Sequence, residues 1–161
     1  MSGWLWYALT LVAALGAGLI AGVFFAFSSF VMRGLGRVPA PAGIAAMQAI
    51  NVTVLNPSFL GTFLGTGVLS LLLGVMAAIH WGSAPSPWLV AAGLVYLLGT
   101  LLVTMVCNVP RNEALAKADA GATAAAPLWS DYLVVWTAWN SVRTLAALVA
   151  CALFVVALSR F

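Results

Sequence analysis

Charged side chains are scarce in this 161-residue sequence, which has six Lys and Arg and three Asp and Glu, or 6% of the chain. Soluble domains are about one quarter charged. Hydrophobic residues make up 65% of the sequence, which is more apolar surface than a soluble fold of this size hides from water. The composition therefore predicts a membrane protein. It excludes a nucleic-acid surface, because the few basic residues are spread along the chain and form no basic patch.

Metal-binding side chains are equally scarce. His80 is the single histidine, and the two cysteines, Cys107 and Cys151, lie in separate apolar segments. This set forms no CxxC pair and no Cys/His cluster, so the usual zinc and copper sites are excluded. The sequence also lacks a phosphate-binding glycine loop and a dinucleotide fingerprint. We therefore expect neither a metal nor an organic cofactor, and a haem would have only His80 as a histidine ligand.

Long uncharged runs indicate the membrane helices. Residues 2–32 carry no charge, and residues 38–110 carry none apart from His80. A membrane span needs about 20 apolar residues, and the Pro- and Gly-containing segment 80–88 divides the second run. The sequence predicts one all-α domain over residues 1–161, an antiparallel bundle of four transmembrane helices at about 4–32, 57–80, 87–107 and 130–159, with a short amphipathic helix near 42–52.

The two long connections, 33–57 and 108–132, lie on the same side of a four-helix bundle. They contain four of the six basic residues, and the opposite side has only Arg160 near it. Lys and Arg are enriched in cytoplasmic loops. We therefore expect both long loops in the cytoplasm and both termini outside, in an inner or plasma membrane.

Six amide side chains collect near the loop end of the predicted bundle. Amides donate and accept hydrogen bonds without titrating. Each has an ordinary structural alternative: Asn56 precedes Pro57 and is a natural helix N-cap, and the others can end helices or tie the loops down. Considered together with Arg143, they predict a ligand pocket lined by Gln48, Asn51, Asn56, Asn108, Asn112 and Asn140.

The last helix carries a polar and aromatic stripe. Trp129, Tyr132, Trp136, Asn140 and Arg143 follow helical spacing and share one face. Polar residues in transmembrane helices usually face the bundle interior. The alternative for Arg143 is a snorkelling side chain whose charged end reaches the membrane surface. An inward stripe would bring Arg143 towards the amides of the other helices.

Four segments carry a resemblance to a known family. GVFFAFSSFVM (22–32), GIAAMQAINVTVLNPSF (43–59), NVPRNEAL (108–115) and WSDYLVVWTAWNSVRT (129–144) together resemble the anthrone oxygenase-like family. This is a group of small four-helix membrane proteins, and many bacterial members are labelled only as having unknown function. Fungal members oxidise polyketide anthrones to anthraquinones with O2, without an evident metal or organic cofactor. The resemblance implies a monooxygenase or related oxidoreductase.

The polar and aromatic residues of the predicted pocket can be given roles in the oxidation of an anthrone. Deprotonation of an anthrone gives an enolate that can pass an electron to O2. Arg143 and Asn140 are the expected catalytic groups that stabilise the oxyanion. Asp131 is the candidate proton acceptor, with a favourable interaction at the helix N-terminus as its structural alternative. The expected substrate-binding residues are the amides Gln48, Asn51, Asn56, Asn108 and Asn112 and the aromatics Trp129, Tyr132 and Trp136, with Trp139 as a further wall of the slot.

Two other function classes stay open. In the first, the chain is a non-catalytic binding or assembly protein, and the polar layer packs the bundle or docks a partner. In the second, it is a small transporter, although ion pathways usually place ionisable residues at mid-membrane. The expected partners are a hydrophobic small molecule, O2 and membrane lipid, and a homo-oligomer is possible.

Overall fold

The computed structural model describes residues 3–122 and 125–161. Within these two ranges every regular element is a helix. Four of the five helices are long and apolar enough to cross a membrane. This confirms the predicted all-α membrane bundle. The helices are α1 (Gly3–Leu35), α2 (Ala40–Thr53), α3 (Pro57–Ile79), α4 (Ser86–Ala116) and α5 (Ala125–Leu158).

The four spanning helices run antiparallel. One hydrophobic cluster joins the first half of α1 to the end of α3, the start of α4 and the end of α5, through Ala14, Leu73, Ala92 and Phe154. A second cluster at the other end joins the end of α1 to α2, to the end of α4 and to the start of α5. The outer faces of the helices carry exposed leucines, valines and phenylalanines. The protein is therefore an integral membrane protein whose helices contact lipid.

Two glycines shape the turn and the contact between α3 and α4. In the turn between α3 and α4, Gly82 has a φ of 111°, which glycine adopts without the strain of a side chain. Further along α4, a Cβ atom at Gly93 would lie 2.7 Å from the carbonyl oxygen of Ser70. Helices α3 and α4 therefore touch backbone to backbone at this level.

The end of α4 differs from the prediction. The sequence predicts that this helix ends at 107 and is followed by a loop over 108–132, whereas α4 continues to Ala116 and α5 already begins at Ala125. Two π-helical segments, Val95–Leu102 and Thr104–Asn108, precede Pro110. Pro110 then stands in the first turn of the following α-helical segment, where its missing N–H is tolerated. Of the predicted loop, residues 117–122 lie outside the helices, and positions 123–124 lie outside the described residues.

Candidate functional site

A cavity of about 250 Å³ lies at the end of the bundle that α2 covers. All five helices contribute to its lining, and most of the lining side chains are apolar. Concave, mostly apolar cavities with a few convergent polar groups are the usual binding sites for small molecules. The polar side chains that line this cavity are Asn51, Thr104, Asn112, Asn140 and Arg143, together with the indole of Trp136.

Arg143 is the charged group of the cavity and is only 5% exposed. It donates through Nη2 to Oδ1 of Asn140 at 2.7 Å and through Nη1 to Oγ1 of Thr104 at 3.1 Å. Its Nε atom is buried and has no hydrogen-bond partner among the described residues. A guanidinium has five N–H donors, and two of them are used here, so three N–H groups, including the enclosed Nε–H, have no partner among the described residues.

The positive charge of Arg143 has no carboxylate partner in the described chain. Its hydrogen-bond acceptors are neutral, and Glu113, Asp119 and Asp131 are all exposed. An unpaired buried charge costs several kcal/mol. Two aromatic rings offset part of this cost, because the guanidinium carbon lies 4.1 Å from the ring centroid of Phe24 and 5.3 Å from that of Trp136. The cavity is consequently suited to an oxygen that carries negative charge.

Asn140 fixes the position of the guanidinium. Its Nδ2 donates to the carbonyl oxygen of Phe24 and to Oγ of Ser28, both at 2.7 Å, so its Oδ1 is directed to Arg143. Ser28 lies in a π-helical turn of α1, Phe27–Val31. Such turns occur often at functional sites. A hydrogen-bond network from α1 through Asn140 thus holds the cation in the cavity wall.

A second polar group lies at the loop end of the cavity. Oδ1 of Asn112 accepts hydrogen bonds from the hydroxyl of Tyr132 at 2.8 Å and from Nε1 of Trp136 at 2.7 Å. Nδ2 of Asn51 is 3.4 Å from the Tyr132 hydroxyl oxygen. These contacts connect α2, α4 and α5 and orient the indole of Trp136 along the cavity.

Aromatic rings form two walls. On α5, Trp129 stacks on Tyr132 and Tyr132 on Trp136, with centroids 5.7 and 5.6 Å apart. On α3, Phe59 and Phe63 stack with centroids 5.7 Å apart. Of these rings, Trp136, Phe59 and Phe63 line the cavity together with Phe24 and Phe27 of α1. Flat aromatic surfaces of this kind favour a flat aromatic ligand.

The predicted site residues fall into three groups. The cavity is lined by Arg143, Asn140, Asn51, Asn112 and Trp136. Behind this lining lie Tyr132, Trp129 and Asn108, and Asn108 donates to the carbonyl oxygen of Trp136. The others lie elsewhere: Gln48 donates to the carbonyls of Leu115 and Ala118, Asn56 caps α3 through a bond from the Phe59 N–H, and Asp131 and Trp139 are exposed.

Sequence reasoning missed the phenylalanine wall and Met105, which also line the cavity. The spacing of Phe59 and Phe63, four residues apart on α3, was the available signal, but lipid-facing residues show the same spacing. Among the described residues, no group of three or more His, Cys, Asp or Glu side chains lies close enough together to hold a metal ion. The cavity therefore offers a cation, amides and aromatic rings as its chemical groups.

Comparison with known proteins identifies a family. No curated protein and no solved structure matches the chain significantly. The family model described as anthrone oxygenase matches residues 58–153, which is more than half of the chain. The matched segment includes Asn112, Trp136, Asn140 and Arg143 of the cavity lining. This chain belongs to the anthrone oxygenase family.

Proposed function

We propose that the protein is a membrane oxygenase that oxidises a flat aromatic ketone of the anthrone type within the cavity. Family membership suggests an oxygenase-type function. The observation that carries the proposal is the buried guanidinium of Arg143, which lines the cavity, has only neutral hydrogen-bond acceptors, and lies over the rings of Phe24 and Trp136. A cation in this position is matched to a planar substrate on which an oxyanion develops.

The reaction needs no external reductant, because the substrate itself supplies the electrons. Loss of a proton from the methylene carbon of an anthrone gives an enolate. One-electron transfer to O2 and recombination form a carbon–oxygen bond at that carbon, and protonation gives a hydroperoxide. Loss of water then leaves a second ketone, so that one anthrone and one O2 give one anthraquinone and one water.

Arg143 is the proposed catalytic residue of this sequence. Its guanidinium would donate hydrogen bonds to the ketone oxygen, and these bonds strengthen as the oxygen becomes an enolate. Asn140 is the proposed positioning residue, since its own amide is held by Phe24 and Ser28. We assign no role to Asp131, which is exposed and outside the cavity lining. The cavity lining contains no carboxylate or imidazole, so we expect the proton to be lost to water.

The rim of the cavity supports a substrate that arrives from the membrane. Leu55 and Met105 line the cavity, and they are 65% and 67% exposed. Exposed apolar side chains on a bundle of this composition contact lipid. The volume of about 250 Å³ lies just below the range of about 300–1,000 Å³ that is usual for drug-sized ligands. Two or three fused rings suit such a space.

A second candidate is a protein that binds the same ligand without turnover. The lack of a carboxylate or imidazole in the cavity lining favours it. In this case Arg143 would hold a phenolate or another aromatic anion as a stable complex, and any oxidation of the ligand would proceed at the uncatalysed rate.

One experiment separates the two candidates. The purified protein in lipid nanodiscs is mixed with anthrone, and O2 uptake and anthraquinone formation are followed beside empty nanodiscs. The proposal predicts uptake well above autoxidation, with one O2 consumed per anthraquinone. Binding of anthrone under anaerobic conditions without faster uptake in air would favour the second candidate, and absence of binding would contradict both.

We also propose that the cavity end of the bundle faces the cytoplasm. Arg33, Arg37, Arg111 and Lys117 lie at or between the helix ends on this side, and Lys and Arg are enriched on the cytoplasmic side of membrane proteins. The substrate would then enter from the inner leaflet.

A further inference from the structure

The direction of the hydrogen bonds around Asn112 can be assigned without ambiguity. The indole Nε1–H of Trp136 can only donate, and it lies 2.7 Å from the Asn112 side chain. The atom that it meets must therefore be the amide oxygen, and the same oxygen accepts from the Tyr132 hydroxyl. The amide nitrogen of Asn112 is left with two N–H donors.

These donors have no partner among the described residues, since both hydrogen bonds of the Asn112 side chain are made by its oxygen. The residue lines the cavity, and its nitrogen is not among the fully enclosed polar atoms that lack a partner. The contrast with Asn140 is informative, because there the amide nitrogen is fully used by Phe24 and Ser28. Asn112 is thus the amide that keeps its donors free at the cavity.

Asn112 and Arg143 contact Trp136 at different places, one at an edge of the ring and the other over its face. The guanidinium of Arg143 lies over the Trp136 ring, 5.3 Å from its centroid, whereas Asn112 meets that ring at its N–H edge. A flat ligand placed against Trp136 can therefore meet a cationic donor at one edge and a neutral donor at another. Two oxygen atoms on opposite edges of a fused ring system would satisfy both.

We propose that Asn112 is the residue that recognises the second oxygen of the ligand. With the ketone oxygen at Arg143, the opposite carbon of the central ring faces Asn112, and this is the carbon that O2 attacks. The amide N–H of Asn112 then donates to the oxygen that the reaction installs, first as hydroperoxide and then as ketone. The ligand class is a fused aromatic ring system with oxygen acceptors on two opposite edges. This inference rests on the proposed function.

The proposal predicts that the protein distinguishes two ligands that differ at this edge. Anthrone has one oxygen and a methylene carbon opposite it, whereas 9,10-anthraquinone has an oxygen at both positions. Arg143 contacts one oxygen in either ligand, and Asn112 contacts only the second oxygen of the quinone. A neutral hydrogen bond of this kind changes affinity by roughly two- to tenfold.

The test measures dissociation constants by quenching of tryptophan fluorescence in nanodiscs, with anthrone under anaerobic conditions and with 9,10-anthraquinone. The decisive variant is Asn112→Asp. Its carboxylate still accepts from Tyr132 and Trp136, but it offers no N–H and presents a negative oxygen to the quinone. We expect anthraquinone affinity to fall about tenfold or more, and anthrone affinity to change by less than about threefold. Glu113→Gln, a neighbouring exposed position outside the cavity lining, is the control.

The outcomes separate this inference from the proposed function. Equal loss of affinity for both ligands, or no loss for either, would overturn the role of Asn112 even if the wild-type protein oxidises anthrone. Binding of neither ligand by the wild-type protein would remove the proposed function and this inference together. Asn112→Leu is a second variant, which removes the amide without adding a charge. If its thermal stability equals that of the wild type, it should weaken the binding of anthraquinone but not that of anthrone.

Discussion

Replacement of Arg143 by glutamine removes the single charge from the cavity lining while keeping a polar, hydrogen-bonding side chain. In the wild-type protein the guanidinium donates to Asn140 and Thr104 and lies over Phe24 and Trp136. The glutamine amide can still donate to Oδ1 of Asn140. The main loss in Arg143→Gln is therefore the charge that would face the enolate oxygen, not the packing of the bundle.

The expected loss of kcat in Arg143→Gln follows from the difference in charge between the ketone oxygen and the enolate oxygen. Loss of one donor to a developing oxyanion lowers kcat by about 10²–10³. The neutral ketone interacts less with a cation than the enolate does, so KM should rise only a few-fold. We expect kcat to fall about 10²–10³-fold. Thermal stability should stay close to that of the wild type, because an unpaired buried cation does not stabilise the fold.

The assay is initial O2 uptake with anthrone in nanodiscs, corrected for autoxidation, over a range of substrate concentrations. Arg143→Lys keeps the charge but loses the planar fork of donors. Its kcat should lie between the kcat of the wild type and that of Arg143→Gln. Arg111→Gln is the matched control, because Arg111 bonds to the carbonyl of Cys107 and does not line the cavity. A rise in KM with unchanged kcat in Arg143→Gln would refute the assignment, and so would equal losses in the Arg111 and Arg143 variants.

Three further predictions concern packing, capping and topology. Gly93→Ala should lower the thermal unfolding midpoint, because overpacking against the Ser70 carbonyl costs about 1–3 kcal/mol, whereas Gly61→Ala, with no atom within 4 Å of its Cβ, should not. Asn56→Ala should lower the unfolding free energy by about 1 kcal/mol through loss of the α3 N-cap, and Asn56→Ser should restore most of it. In a variant without Cys107 and Cys151, a cysteine introduced at Asp119 should react with a membrane-impermeant maleimide only after the cytoplasmic side is exposed, and labelling of intact cells would contradict the proposed topology.

The number and type of the helices could be predicted because the evidence for them is local and redundant. Uncharged runs long enough for about 20 residues per span and the Gly- and Pro-containing turn at 80–88 leave few alternatives. The N-cap of Asn56 before Pro57 was equally readable, and the structure has this cap. The spans depend on the apolar composition of each run, and the cap depends on residues that are neighbours in sequence. Both can be read without the fold.

The end of α4 could not be predicted from the same signals. Pro110 normally marks a helix boundary, but the π-helical segment Thr104–Asn108 changes the phase of the helix just before it. Asn108, expected to end the helix, instead has its side chain fully buried against Trp136. Tertiary packing between α4 and α5 overrides the local preference here.

The polar half of the site was partly predictable and the apolar half was not. Polar side chains in a spanning helix face the interior, so the α5 stripe indicated Asn140 and Arg143. Gln48 and Asn56 carry the same side-chain chemistry but bind loop carbonyls and a helix N-terminus, and only the fold separates these roles. Phe24, Phe59 and Phe63 could not be assigned to the cavity, because phenylalanine at helical spacing is equally suited to lipid and to a cavity wall.

The most direct measurement is an experimental structure of the protein in lipid with 9,10-anthraquinone bound. The proposed function predicts planar density against Trp136, with one carbonyl oxygen within hydrogen-bond distance of the Arg143 guanidinium. Density for the quinone elsewhere on the bundle, with side chains filling the space beside Arg143, would contradict the central claim that this cavity holds an aromatic ligand against a buried cation.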